Sequence, residues 1–310
     1  MTDLAERVRA EGLLTAGRPV VVLLSGGRDS VCLLGVAAEV AGTGAVAALH
    51  VDYGLRPGSG ADAELCRDLC ARLGVALEVM AAPPAPAGGG NLQAWARDVR
   101  YRRADELAQD RRADVAAGHT ATDQAETVLY RLASSPGRRA LLGMAPRAGR
   151  LVRPLLAVTR EETAAWCEAR GLPWVEDASN TDPRFARNRV RAALVPALRA
   201  VHPAAEANVV RTAELLRDEA AVLDAAVDAV LDEDGSAIAL ARLRGLPIAL
   251  ARLVVVRLAE DAAGALVPRA ASRTEEILAL DPARTWTALD IGDGVRAVVE
   301  GGVLRLQASA

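Results

Sequence analysis

The chain has 310 residues, with 37 basic and 40 acidic side chains and a formal net charge of −3. Every one of the 37 is an arginine. The absence of lysine excludes the P-loop, whose lysine grips phosphate, and Schiff-base and protein-kinase chemistry with it. Any grip on phosphate must come from arginine, backbone N–H groups, hydroxyls or a metal.

A chain of this length accommodates about two domains of ~100–200 residues each. Hydrophobic residues make up 51% but aromatics only 3%, so the core must be built from Ala, Val and Leu. Four cysteines do not make a disulfide scaffold. The opening segment MTDLAERVRAEGLL carries acidic residues and lacks an apolar signal region, and no apolar run approaches ~18 residues. A soluble, cytoplasmic protein is expected. Charge is uneven along the chain: residues 131–199 hold 13 arginines against 6 acidic residues, and residues 200–310 hold 11 against 17. The first stretch is either a polyanion footprint or a solvated face.

In chain order, PVVVLL at 19–24 reads as a buried strand. It ends in SGGRDS and is followed by VCLLGVAAEV, which suits a helix. AVAALHV at 45–51 is a second strand. The helix predicted over 61–74 ends at Gly74, a good C-cap, and VALEVM at 75–80 is a third strand. PPAPAGGG at 83–90 is a loop, and Asn91 caps a helix running to about 110. DVAAGH at 114–119 is a fourth strand, TDQAETVLYRLA after it is helical, and LVRPLL at 151–156 suits a strand end. Thr159 and Glu162 form a capping box for a helix that Gly171 stops. From about 188 the pattern becomes helical, over 206–232, 240–263 and 272–280, before a β-hairpin at 286–307 with turns at GDG and EGG. The fold class expected is α/β, a doubly wound parallel sheet followed by a smaller, mainly helical domain. The boundary falls near 212, dividing the chain into 1–212 and 213–310. Ligands of such sheets bind beyond the carboxyl ends of the strands, where every motif below lies.

In Ser25-Gly26-Gly27-Arg28-Asp29-Ser30 the two glycines let the backbone approach an anion, the following helix presents unpaired N–H groups, and the serines add hydroxyls. Asp29 would repel phosphate unless a metal lies between them, which favours Mg²⁺ with a nucleotide. Two glycines alone would be read as a tight turn; the full hexapeptide after a valine-rich strand is far more specific.

That hexapeptide resembles the SGGxDS loop of the PP-loop ATP pyrophosphatases. The family implies cleavage of ATP between its α and β phosphates and transfer of AMP to an acceptor. LHVDYGLRPGS at 49–59, AWARDVRY at 94–101, AGHTATDQAETVLYRL at 117–132 and EDASNTDPRFARNRVR at 176–191 narrow the likeness to the short-form tRNA(Ile)-lysidine synthetases, over most of residues 20–195. Asp52 and Tyr53 stand where that family usually has Asn and His, and Thr122 where it has Asp. The resemblance implies a ligase that joins free L-lysine to a cytidine of a tRNA(Ile) with a CAU anticodon, using ATP and Mg²⁺. It implies Asp29, Asp123 and Glu126 as catalytic residues, with Asp29 on the metal. Ser25 to Ser30, Arg97 and Arg100 fall to the nucleotide.

Asp123 and Glu126 are three apart at a helix start, so they share a face and suit a cationic amine or a metal. The resemblance assigns them to lysine. Arg131, Arg138, Arg139, Arg147, Arg150 and Arg153 crowd one stretch, and Arg184, Arg187, Arg189 and Arg191 another. Guanidinium forks match phosphate, so some of these arginines are expected on tRNA and several merely solvated; Arg138, Arg139, Arg187 and Arg191, with Asn188 beside them, are the expected contacts. His50 leans structural, His119 is open between a ligand contact and a structural bond, and His202 lies outside the motifs. Cys32, Cys66, Cys70 and Cys167 fit buried helix positions, against a tRNA-thiolating relative. A non-catalytic nucleotide- or RNA-binding module is the remaining possibility.

Overall fold

The computed structural model describes residues 3–55, 59–86, 91–134, 137–176, 186–231 and 235–309. Parts of the 49–59, 83–90 and 176–191 segments named above, including Arg184, lie outside the described residues. The chain divides into two compact units, Met1–Glu214 and Leu215–Ala310.

The first unit opens with a helix that was not expected, α1 (Leu4–Ala10), which buries Leu4, Ala5 and Val8. β1 (Val20–Leu23) is buried throughout, as a continuous β-branched run should be in a parallel sheet. α2 (Arg28–Ala41), β2 (Val46–Asp52), α3 (Ser59–Leu73) and β3 (Ala76–Ala81) follow. α4 (Leu92–Arg111) starts where Asn91 caps it, its side-chain oxygen accepting from the Ala94 N–H at 3.1 Å. β4 (Asp114–Ala116), α5 (Ala121–Ser134), the short α6 (Arg138–Leu141), β5 (Arg147–Ala148) and β6 (Leu151–Val152) come next. The expected 151–156 strand is thus two residues long. It leaves the sheet at Arg153 and Pro154, because proline offers no N–H to a ladder. α7 (Arg160–Ala169) carries the capping box: the Glu162 N–H donates to Thr159 Oγ1 at 3.2 Å and the Thr159 N–H to Glu162 at 2.8 Å.

The sheet order is β3-β2-β1-β4-β6-β5, parallel except for the β5–β6 pair. One face carries a core of α1, α2, α3 and α7 residues and the other a core from α4, so the sheet is covered on both sides. The chain winds from β1 outward to β3, then returns to lay β4 on the other side of β1. That reversal opens a crevice at the carboxyl ends of β1 and β4. α2 and α7 approach closely at Gly35, where a Cβ would meet Trp166 Cη2 at 2.6 Å.

The 188–201 helix is not uniform. α8 (Ala186–Arg189) runs into a π-helical turn at Val190–Leu194 and then α9 (Val195–Val201). Pro196 explains the break: it donates no bond to the turn behind it, and its ring pushes on the carbonyl four residues back. α10 (Ala205–Asp228) carries the chain into the second unit.

There helices predominate, and the expected terminal hairpin is part of a larger sheet. β7 (Ala237–Ala239) precedes α11 (Leu240–Gly245), α12 (Ile248–Ala263) and α13 (Thr274–Leu278). The 240–263 helix is split because Pro247 sits at the start of α12. GDG and EGG each close a separate turn, giving a meander of β8 (Trp286–Gly292), β9 (Val295–Glu300) and β10 (Val303–Ala308). With β7 this forms a four-stranded antiparallel sheet ordered β7-β10-β9-β8. Leu240, Leu243, Val254, Leu258, Ile277, Ile291 and Leu304 fill its core, each buried aliphatic side chain adding about 1.5–3 kcal/mol.

Candidate active site

The glycine loop turns the chain from β1 into α2. Gly26 takes φ of +82°, open to glycine at no cost, and Gly27 is the residue before the helix. Ser30 Oγ ties the turn together: it donates to the Gly27 carbonyl at 2.7 Å, accepts from the Ser25 N–H at 3.1 Å and lies 3.1 Å from Ser25 Oγ. The Gly27 N–H points back to Ser25 Oγ at 3.3 Å. A Cβ on Gly118, just past β4, would sit 2.9 Å from the Asp29 carbonyl oxygen, so β4 delivers its following residues against the mouth of this loop.

Asp29 turns toward α7. Thr163 Oγ1 donates to its Oδ1 at 2.6 Å, Arg28 Nε reaches the same oxygen at 3.3 Å, and Arg160 Nε reaches Oδ2 at 3.3 Å. Thr163 and Arg160 carry no motif, and nothing local in the sequence marks them; packing of α7 on α2 makes the contact.

At the next strand end, α5 begins with the acidic pair. Asp123 is 7% exposed and Glu126 fully buried. Asp123 Oδ2 caps its own helix, accepting from the Thr120 N–H at 2.9 Å and Thr120 Oγ1 at 3.1 Å. Two arginines, one from α8 and one from the π-helical turn after it, close over the pair. Arg187 donates to Asp123 Oδ1 at 2.8 Å and to Glu126 Oε2 at 3.0 Å. Arg191 grips Glu126 with both ends of its fork, at 2.6 and 3.0 Å. Burial pushes the Asp123 carboxyl up, but the Arg187 guanidinium and the Thr120 N–H outweigh it, and the net displacement is below the ordinary value. The Arg187 side chain is 43% exposed and that of Arg191 22%. Both were expected on tRNA; in this structure they contact the acidic pair.

Arg97 is exposed and lies over the Tyr101 ring at 4.6 Å, while Arg100 has a buried Nε without a partner. His119 is pulled down to about 4, by burial first and then by Arg153, Arg187 and Arg97 against the opposing Asp123, so its ring is neutral near pH 7. His50 is structural, bonded to the Leu24 carbonyl at 2.9 Å. Asp52 accepts from the Gly54 N–H at 2.9 Å, and Tyr53 donates to the Ala96 carbonyl at 3.0 Å and packs edge-on to Trp95. Those two departures from the family pattern therefore shape the turn after β2 and its junction with α4. Arg147, after α5, forks onto Asp114 at 2.9 and 3.0 Å, and Arg131, in the last turn of α5, bonds the Gly143 carbonyl at 2.7 Å. Arg138 is half-buried, Arg139 is exposed and Asn188 half-buried.

The PP-loop domain matches residues 3–198. A curated tRNA(Ile)-lysidine synthase of Thermobifida fusca is 40% identical over 277 residues, covering 86% of this chain and 84% of that protein. The chain belongs to this branch of the PP-loop family. The tRNA(Ile)-lysidine synthases of Solibacter usitatus and Thermus thermophilus are each 39% identical, over 82% and 93% of the chain. The chain spans 59% and 56% of the length of those two relatives. Among solved structures, the U34-tRNA thiolase NcsA of Methanococcus maripaludis superposes with a TM-score of 0.58 at 17% identity, over 69% of this chain and 78% of that one, which is a likeness of fold.

A PP-loop protein works with a nucleotide, and Mg²⁺ commonly travels with one. Asp29 was expected to hold it. Here its two oxygens take a hydroxyl and two guanidiniums, and the described residues contain no group of three or more His, Cys, Asp or Glu that could hold a metal. One carboxylate flanked by two arginines does not fit a resident cation. Among the described residues no helix is long and apolar enough to cross a membrane.

Proposed function

We propose that this chain is an ATP-dependent ligase that joins free L-lysine to C2 of the cytidine at the first anticodon position of a tRNA(Ile) with a CAU anticodon. The observation that carries the reading is the pairing of two features at one sheet edge: the Ser25–Ser30 cradle after β1, and a buried acidic pair, Asp123 and Glu126, after β4. The first suits the phosphates of ATP, with Arg97 and Arg100 assigned to the same nucleotide. The second suits an amine. Magnesium enters as the companion of ATP and is part of that substrate.

The C2 oxygen of the cytidine attacks the α-phosphate of ATP, forming the C–O–P bond as the bond to pyrophosphate breaks. The ε-amine of lysine then attacks C2, and AMP leaves with the oxygen. The chain's own residues bind and orient. The loop N–H groups and serine hydroxyls hold phosphate oxygens. Thr163 and Arg160 hold Asp29, and through it the start of α2. The α-ammonium of lysine displaces Arg187, the more exposed of the two arginines on the acidic pair, and leaves the ε-amine free to react as the neutral base. Arg138, Arg139 and Asn188 are proposed to contact tRNA phosphates, and the protein to act in the cytoplasm.

A thiolating activity is the rival reading. Sulfur transfer needs an accessible reactive thiol or a cluster, but all four cysteines are buried; burial pushes the Cys66 and Cys70 thiols up to about 12 and 11, and the hydrogen bond between Cys32 and Cys167 raises the first and lowers the second. Incubation with ATP, labelled lysine and a tRNA(Ile) transcript decides. Lysine label should enter the tRNA only with ATP, with AMP and pyrophosphate released. Label from a sulfur donor entering instead would overturn the reading.

A further inference from the structure

Arg153 follows β6 at the carboxyl edge of the sheet and is only 7% exposed. Nη1 donates to the Ala145 carbonyl at 2.6 Å, and Nε is buried with no partner. No described carboxylate pairs with it. Burial disfavours its charge most; Tyr101 opposes that, while Arg97 and Arg131 add to it. Guanidinium stays protonated under such conditions, so a buried cation is left with a donor unused. Uncompensated burial of a charge is expensive, and sites that tolerate it are completed by an anion.

The position says which anion. β6 pairs with β4, and the Ala117 and Ala121 N–H groups leading into α5 donate to the Val152 and Val158 carbonyls at 3.0 and 2.8 Å, so the segment that carries Arg153 runs beside the approach to Asp123 and Glu126. A phosphate chain requires uniform positive charge, and its cradle lies on the other side of β4, after β1. A free amino acid requires both signs close together: carboxylates for its amine and a fork for its carboxylate. We propose that Arg153 receives the α-carboxylate of the lysine substrate and makes the site specific for the free amino acid over a diamine or a carboxyl-blocked lysine. The inference rests on the function proposed above and adds the group that recognises the substrate's α-carboxylate.

The test is steady-state ligation with L-lysine, L-lysinamide and cadaverine, in the wild-type chain, Arg153→Met and Arg153→Lys. The wild type should prefer lysine to lysinamide at least ~tenfold in kcat/KM, the scale of one charged hydrogen bond. R153M should raise KM for lysine at least ~tenfold, with kcat little changed and lysinamide unaffected, on the same scale. R153K should fall between. Equal losses on lysine and lysinamide would make Arg153 merely structural and overturn the proposal. So would an unchanged KM for lysine with weakened inhibition by pyrophosphate, which would mark a phosphate seat. Should the variants not fold, wild-type indifference between lysine and lysinamide overturns it alone, and wild-type preference supports it. A wild type that ligates no lysine sinks the proposed function and this inference together; one that ligates lysine without these differences sinks only the assignment to Arg153.

Discussion

Replacing Arg191 by alanine removes the fork from a fully buried glutamate. Glu126 would keep a single charged bond, from Arg187 Nε at 3.0 Å. Removing one partner of a buried pair costs about 3–5 kcal/mol, because the remaining charge is stranded away from water. The surviving Arg187 contact puts the expected loss near the lower end, ~3 kcal/mol. For a unit of 214 residues this corresponds to a fall in Tm of about 6–12 °C, at ~2–4 °C per kcal/mol. Urea unfolding followed by tryptophan fluorescence suits the measurement, since Trp95, Trp166 and Trp174 lie in this unit. The double variant E126Q/R191M should lose less than R191A, because both charges leave together. Arg67→Ala supplies the contrast: its pair with Glu64 is exposed on both sides and should cost ~0–1 kcal/mol. If R191A lost no more than R67A, the acidic pair would not depend on the arginines, and the inward reading of Arg191 would be wrong.

Thr163→Val deletes the 2.6 Å hydroxyl on Asp29 and should slow tRNA-dependent ATP–pyrophosphate exchange by about ten- to a hundredfold, the worth of a charged hydrogen bond; an unchanged rate would detach Asp29 orientation from adenylation. Gly118→Ala places a Cβ 2.9 Å from the Asp29 carbonyl and should displace the start of α2, weakening ATP binding and costing about 1–3 kcal/mol of stability. Intact ATP affinity by calorimetry would contradict that packing. The depressed Asp123 carboxyl contributes stability that is fully present above its ordinary value near 3.9 and lost as pH falls through its lower folded value. Arg187→Ala should diminish this contribution, so the Tm gap between wild type and variant should narrow as pH is lowered through that range; parallel curves would exclude the Asp123–Arg187 pair as its source.

The individual elements of the first unit were largely legible because their signals are local. A β-branched run makes β1, Asn91 and Thr159 cap their helices through their own side chains, and glycines end α3 and α7. The second unit was less legible. β7 is three residues of Ala and Ile with no periodicity to mark it, and it exists because β10 offers an open edge. The two turn signals near the end were visible, but whether they closed one hairpin or a meander depended on which strands could pair. Likewise α1 is too short to hold together without α2 beneath it.

By itself the sequence determined the chemistry available: no lysine to hold phosphate, a glycine loop after a strand, and two carboxylates on one helical face. Those are properties of residue type and spacing over a few positions. Tertiary structure alone decided what the side chains touch. Arg187 and Arg191 lie more than 60 residues from the acids they grip, Thr163 lies 134 from Asp29, and Arg153 has no counter-charge among the described residues because of what packs around it. An ion pair's energy depends on distance and dielectric, and neither exists until the sheet brings its strand ends together.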